Sequence, residues 1–183
     1  MIVYLHGFNS SAQSHKAQVM GRYLAGRGIE FACPDLPALG TDAIKAAEKF
    51  LGKNPCFVGS SLGGFYATYM AEKHAARAVL INPAIDPHVG LRAYLGPQKN
   101  LHTGEPYELT EEYLKAWQDL YVPRITPQRY LLLVETADEV LDYRRAVERY
   151  AGAEQVVVPA GDHSLASFPQ HLPRILEFCG ARA

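Results

Sequence analysis

Gly59-Ser60-Ser61-Leu62-Gly63 sets two serines between glycines directly after an apolar run. The spacing is G-x-S-x-G, which points to a nucleophilic serine only when a strand precedes it and a helix follows. Both conditions hold: residues 55–58 read as a strand and residues 62–74 as a helix. A serine at so sharp a turn takes a strained backbone, and side chains on either flank would collide with it, which is the work of Gly59 and Gly63. The turn would lift the hydroxyl above the sheet, aim a helix N-terminus at the same spot and point the Leu62 N–H at a developing oxyanion. The plainer alternative is a glycine turn that packs helix against strand. A dinucleotide fingerprint fails, because in the register Gly59, Ser61, Gly64 a serine replaces the second glycine. A phosphate-binding loop fails at Gly52-Lys53, where Ala47 replaces the first glycine and Asn54 follows the lysine.

A serine hydroxyl is a weak nucleophile and needs a base, which in turn needs an orienting carboxylate. In this strand–turn–helix type the chain order is Ser, acid, His. His163 lies in Pro159-Ala160-Gly161-Asp162-His163-Ser164, the loop after the last apolar run, and is the first choice for base. The other histidines fit less well: His6 precedes the serine, His15 and His74 lie at helix ends, His88 and His102 lie in a long insertion, and His171 lies in the last helix. Asp138, in Glu135-Thr136-Ala137-Asp138-Glu139-Val140 after the preceding run, is the expected acid. Glu139, Asp142, Asp86 and Asp162 are the alternatives, with Asp142 equally readable as a helix-terminal charge and Asp162 too near His163 in sequence to orient its ring. Leu5-His6-Gly7-Phe8 ends the first run in a turn, and the Phe8 amide is expected to join that of Leu62 in an oxyanion hole. Asn9, Ser10 and Ser11 shape the same loop or simply cap the helix that follows.

These residues converge only if the chain builds the right sheet. Apolar runs at 2–5, 29–33, 56–58, 78–81, 130–134 and 155–158 alternate with helical segments at 14–25, 42–51, 62–74, 141–150 and 170–178. Such alternation predicts a three-layer α/β/α sandwich with a six-stranded, mostly parallel sheet. The order 2-1-3-4-5-6 would put Phe8 and Ser61 at the topological switch point, where open α/β sheets bind ligands. Residues 1–183 read as one domain, with residues 84–129 as a lid-like insertion that shows no convincing strand. Within it Leu109, Tyr113, Leu114, Trp117, Leu120 and Tyr121 fall on one helical face, which would complete either a lid or the core.

A net charge of −1 gives no electrostatic case for nucleic acid or an anionic membrane. Cys33, Cys56 and Cys179 form no CxxC, and the expectation is reduced thiols in a cytoplasmic protein. The opening MIVYLHGF suggests neither a signal peptide nor a membrane span. No metal-ligand spacing appears, and serine chemistry of this type calls for no metal and no organic cofactor.

Taken together, YLHGFNSSAQSHKA, GSSLGGFYATY, LINPAI, NLHTGEPYEL, ADEVLDY and GDHS resemble the YqiA/YcfP-like group of small bacterial esterases in the α/β-hydrolase superfamily. The likeness runs from Tyr4 to Ser164. It implies a sheet lacking the first two strands of larger hydrolases. It implies Ser61, Asp138 and His163 as a triad, with the Phe8 and Leu62 amides as oxyanion hole, acting on a small-molecule ester or acyl thioester, acyl-CoA included. Ala137 and Ala160 stand where the group's pattern has glycine, which would restrict positive φ in the acid and base loops. The competing reading is a non-catalytic acyl- or small-molecule-binding module on the same fold. The presence of all three triad residues separates the two. The aromatics Tyr94, Tyr107, Tyr113, Trp117 and Tyr121 are expected to shape an acyl pocket or to be ordinary core.

Overall fold

In the computed structural model, which describes residues 1–181, the apolar runs pair into one parallel sheet. In chain order the elements are β1 (Ile2–Leu5), α1 (His15–Ala25), β2 (Phe31–Ala32), α2 (Gly40–Glu48), β3 (Cys56–Ser60), α3 (Leu62–His74), β4 (Arg77–Ile81) and α4 (Pro87–Gly90). There follow β5 (Gly96–Lys99), β6 (Pro106–Leu109), α5 (Glu111–Asp119), β7 (Tyr130–Glu135), α6 (Tyr143–Arg149), β8 (Glu154–Val158) and α7 (Phe168–Cys179). The main sheet has six strands in the order β2-β1-β3-β4-β7-β8, all parallel. Counted without the insertion, that is the order the sequence predicts.

The strands read as continuous apolar runs because both sheet faces are covered. Val3, Leu5, Phe57, Leu80 and Leu132 point to the side packed by α2, α3, α5 and α6. Ile2, Tyr4, Val58, Val79 and Leu131 point to the other side, packed by α1 and α7. The alternation within each strand is the period-two geometry of a β-chain. β1 and β3 are neighbours, yet the helices that follow them lie on opposite faces, so their C-terminal ends open a crevice.

Two expectations need correction. The first concerns the insertion. Its residues 96–109 form an antiparallel hairpin, with Gly96 opposite Leu109 and Lys99 opposite Pro106. Proline, glycine and charge in β5 hide it from a propensity argument, since two exposed strands need little apolar content. The helical face is also shorter than expected: Leu109 ends the hairpin and Tyr121 is half-exposed, leaving Leu114, Trp117 and Leu120 buried. Trp117 is fully enclosed and its indole N–H donates to the Tyr66 hydroxyl at 2.7 Å. Thus α5 packs as core, while α4 and the hairpin remain near the crevice.

The second correction concerns the cysteines. Cys56, at the start of β3, and Cys179, at the end of α7, are joined by a disulfide across 123 residues with Cα atoms 5.5 Å apart. Sequence alone gives no sign that α7 returns to the base of β3. The cysteine argument for a reducing compartment falls with this bond. Cys33 remains a free thiol, and burial pushes its pKa up to about 12, so it stays protonated. Among the described residues no helix is long and apolar enough to cross a membrane.

If α5 belongs to the core, Trp117→Ala should lower global stability by about 3–5 kcal/mol, read from urea denaturation. A loss below about 1 kcal/mol would mean that α5 detaches independently of the sheet.

Candidate active site

At the end of β3 the chain turns into α3 through Ser61, whose φ of 55° and ψ of −120° lie outside the regions favoured by L-residues. Three main-chain hydrogen bonds hold this conformation. The Ser61 amide donates to Ile81 O at 3.0 Å, while Ala84 N and Gly64 N donate to Ser61 O at 3.0 and 2.9 Å. A Cβ at Gly59 would overlap the Gly63 carbonyl, and one at Gly63 would overlap the Leu5 carbonyl. Both glycines are therefore fixed by close approach of backbone to backbone.

The structure brings Ser61, His163 and Asp138 into one chain of contacts. His163 Nδ1 lies 2.8 Å from Asp138 Oδ2 and 3.0 Å from Oδ1. An ionised carboxylate only accepts, so Nδ1 carries the proton and Nε2 is free to accept. Nε2 lies 3.2 Å from Ser61 Oγ. The Asp138 side chain is almost entirely buried, and its Oδ1 also accepts from Val140 N and Leu141 N, each at 2.8 Å. The carboxylate is thus locked before it meets the ring.

The alternative acids are occupied elsewhere. Asp86 pairs with Arg145 at 2.9 Å. Asp142 caps α6 by accepting from Arg144 N at 3.0 Å. Glu139 accepts the His163 amide at 3.0 Å, and Asp162 accepts Ser164 N at 2.8 Å. His6 is buried: Leu36 N donates to its Nε2 at 3.0 Å, so Nδ1 is the donor to Gly7 O at 3.1 Å. Burial holds its pKa below the usual histidine range, against the opposing pull of Gly7 O and Asp35.

The Phe8 and Leu62 amides donate to no other described group. Gly7 presses on the serine, since a Cβ there would lie 3.3 Å from Ser61 Cβ. The hairpin pins the same loop from above. Tyr107 OH donates to Asn9 Oδ1 at 2.7 Å, Leu101 N to Asn9 O at 3.0 Å, and Asn100 Nδ2 to Ser10 O at 2.9 Å. Asn9 sits at a φ of 52°, which asparagine tolerates better than most residues. The Phe8 ring lies between Trp117 and Tyr94, with centroids 6.4 and 6.3 Å away.

Two positioning residues are absent from the sequence reading. Glu135 ends β7 fully buried, and its carboxylate accepts from Asp162 N at 2.7 Å, Ala166 N at 3.1 Å, Ser167 N at 3.0 Å and Ser167 Oγ at 2.6 Å. These donors span the loop that carries His163. Burial would push the Glu135 carboxyl up; the hydrogen bonds from Ser167, Asp162 and Ala166 outweigh it and hold the pKa below the usual glutamate range. Gly161 cradles this carboxylate, which a Cβ would overlap. Asn82, also buried, donates from Nδ2 to Asp162 O and His163 O at 3.1 Å each, while its Oδ1 accepts Glu135 N at 3.1 Å. A carboxylate at the end of an otherwise apolar strand was the available signal for Glu135. Of the two alanines, Ala160 takes a φ of 61°, whereas Ala137 does not enter the left-handed region.

Two cavities meet at Ser61 and His163. One, of about 320 Å³, is lined by Phe8, Leu62, Pro83, Ile85, Leu91 and Leu141 among others and is mostly apolar. The other, of about 340 Å³, runs toward the start of α1 and includes Ser10, Ser14, His15, Lys16 and Ser164. Of the insertion aromatics only Tyr94 reaches the apolar cavity; Tyr113 and Trp117 pack in or against the core, Tyr107 holds Asn9, and Tyr121 lies outside.

The model of UPF0227, described as an uncharacterised protein family, matches residues 1–180. Relatives include a UPF0227 protein of Serratia proteamaculans, 24% identical over 97% of this chain and 98% of its own. The UPF0227 protein YcfP of Salmonella arizonae is 24% identical with the same coverage. Among solved structures, mouse alpha/beta hydrolase domain-containing protein 10 superposes with a TM-score of 0.77 at 17% identity, covering 98% of this chain and 89% of its own. Paleococcus ferrophilus monoacylglycerol lipase gives 0.70 at 17% identity, covering 99% and 94%. These likenesses show the α/β-hydrolase fold.

Two stability measurements test the loop framework. Because the folded Glu135 pKa is depressed, its contribution is present above the unfolded value of about 4.3 and is lost as pH falls through the lower folded value. Glu135→Gln should cost about 1.5–3 kcal/mol near neutrality and flatten the acid limb of the stability–pH curve; an unchanged acid limb would refute this. Ala160→Gly should instead stabilise by roughly 0.5–1 kcal/mol, the left-handed strain relieved less the entropy of glycine. A less stable glycine variant would contradict that assignment.

Proposed function

The chain belongs to the UPF0227 family, and from that premise and the geometry of its site we propose that it is a serine hydrolase acting on small-molecule carboxylic esters or acyl thioesters. The observation that carries the reading is the unbroken line Asp138–His163–Ser61, at 2.8 and 3.2 Å, ending on a serine in a strained turn. Esterase and lipase names among proteins of the same fold agree with it.

Ser61 Oγ attacks the acyl carbonyl carbon as its proton passes to His163 Nε2. The carbonyl oxygen becomes an oxyanion, received by the Phe8 and Leu62 amides, which have no other partner to give up. Asp138 keeps the proton on Nδ1 and stabilises the imidazolium. As the tetrahedral intermediate collapses, the imidazolium protonates the departing alkoxide or thiolate, leaving an acyl-serine. Water then enters, gives a proton to Nε2 and attacks the acyl carbon, and Ser61 departs with that proton returned. The chain Glu135–loop–His163 and the hairpin clamp on Asn9 keep base and oxyanion donors in register, so that little reorganisation is needed at each step. The apolar cavity takes the acyl chain, with α4 and Tyr94 of the 84–129 insertion as part of its wall.

The test is turnover of p-nitrophenyl esters of graded acyl length and of acyl-CoA, with Ser61→Ala beside the wild type. The variant should lose roughly 10⁴-fold or more in kcat and its labelling by a fluorophosphonate. Equal turnover by both proteins would remove Ser61 from the chemistry, and an inactive, unlabelled wild type would favour a binding module.

A further inference from the structure

The mechanism above uses the apolar cavity and leaves the second one, toward α1, without a role. That cavity has a mixed wall, in which Tyr4, Phe8, Leu165 and Phe168 stand beside Ser14, Lys16 and Ser164. Ser14 Oγ is buried there with no hydrogen-bond partner, and although it precedes α1 its side chain caps no amide. An unpaired buried hydroxyl is uncommon enough to need a reason. The first-turn amides of His15, Lys16 and Ala17 find no main-chain acceptor either, and they carry the positive end of an eleven-residue helix.

Lys16 stands in the same wall. Its ammonium donates once, to Ser164 O at 2.7 Å, leaving two N–H groups. Among the described residues no carboxylate lies within ion-pair distance of it. The three acids whose fields reach it are engaged elsewhere: Asp162 with Ser164, Glu135 with the 162–167 loop, and Asp138 with His163. Burial holds the Lys16 pKa below the usual lysine range, with Asp162, Glu135 and Asp138 pulling the other way. A partly desolvated ammonium, an unpartnered hydroxyl and a helix N-terminus thus face one cavity of about 340 Å³ that opens on Ser61 and His163. An alkyl chain in this space would leave the Ser14 hydroxyl, the first-turn amides and two Lys16 N–H groups without a protein partner, whereas an oxyanion could accept from them.

We propose that the second cavity receives the leaving group and that Lys16, with Ser14 and the start of α1, selects a leaving group bearing a carboxylate or phosphate close to the ester. The inference rests on the hydrolase reading and specifies its substrate class: an apolar acyl chain joined to an anionic alcohol or thiol. The acyl group takes the apolar arm, the anion sits over Lys16, and the scissile bond lies between them, where His163 can protonate the departing oxygen or sulfur. Lys16 is here a specificity residue that touches the substrate away from the reacting atoms.

The experiment compares 3-(butyryloxy)benzoate, its neutral methyl ester and 3-(butyryloxy)phenyl phosphate, following release of each phenol chromatographically. Wild type should favour an anionic ester over the neutral one by at least 10-fold in kcat/KM, mostly through KM. Carboxylate and phosphate arms tell which oxyanion is preferred. In Lys16→Met the anionic-to-neutral ratio should fall toward one, and in Lys16→Arg it should be largely kept. Each ratio is taken within one protein, so partial misfolding of a variant cancels. Hydrolysis of the neutral ester with no anionic preference, or a preference that survives Lys16→Met, overturns the proposal and leaves the hydrolase intact. No hydrolysis of any ester together with no fluorophosphonate labelling overturns both.

Discussion

The arrangement depends on one strained residue. Ser61 holds a backbone conformation that costs on the order of 1–3 kcal/mol, and it holds it because β4 lies alongside. Ile81 O accepts its amide, and Ala84, just past the end of β4, donates back to its carbonyl. Two glycines let the first turn of α3 settle directly on the ends of β1 and β3. Loosening any of these contacts would let the turn relax toward an ordinary helix start and lower the hydroxyl into the sheet. The strand order follows from the same requirement: β1 must sit beside β3 for the Gly7 loop to lie against the serine.

Around that residue are two independent clamps. Glu135 and Asn82 gather the loop bearing His163 from below, mostly through main-chain donors and acceptors of that loop, with the Ser167 hydroxyl as the side-chain exception. Asn9 is gripped from above by the hairpin. One clamp places His163, the candidate base, and the other places the loop that carries the Phe8 amide. Neither touches Ser61 itself. The site is therefore assembled from segments far apart in the chain, each registered separately to the sheet.

How much of this the sequence discloses depends on how local the signal is. The strand pattern, the order of the main sheet and the G-x-S-x-G turn are local or nearly so, and each appears in the structure with shifts of one to three residues at the ends. Ser61, His163 and Asp138 could be chosen because chain order ranks candidates without knowing distances. Glu135 shows in the sequence only as a carboxylate ending an apolar run, and its role does not, since nothing in a sequence tells which amides will surround it. The hairpin is invisible for a related reason: Gly96-Pro97-Gln98-Lys99 pairs as a strand against propensity, held by its partner β6 and by its contacts to Asn9 and Ser10. The disulfide is likewise non-local, since Cys56 and Cys179 meet only after α7 has folded onto the sheet.

That disulfide also has a mechanical meaning. It welds the last turn of α7 to the base of the strand that carries Ser61. A pull on the C-terminal end cannot peel α7 away turn by turn, because the load passes through the covalent bond straight into β3. There it meets parallel strands β1 and β4 on either side, whose hydrogen bonds would be loaded in shear, many at once. The strand that leads into Ser61 thus doubles as the mechanical anchor of α7.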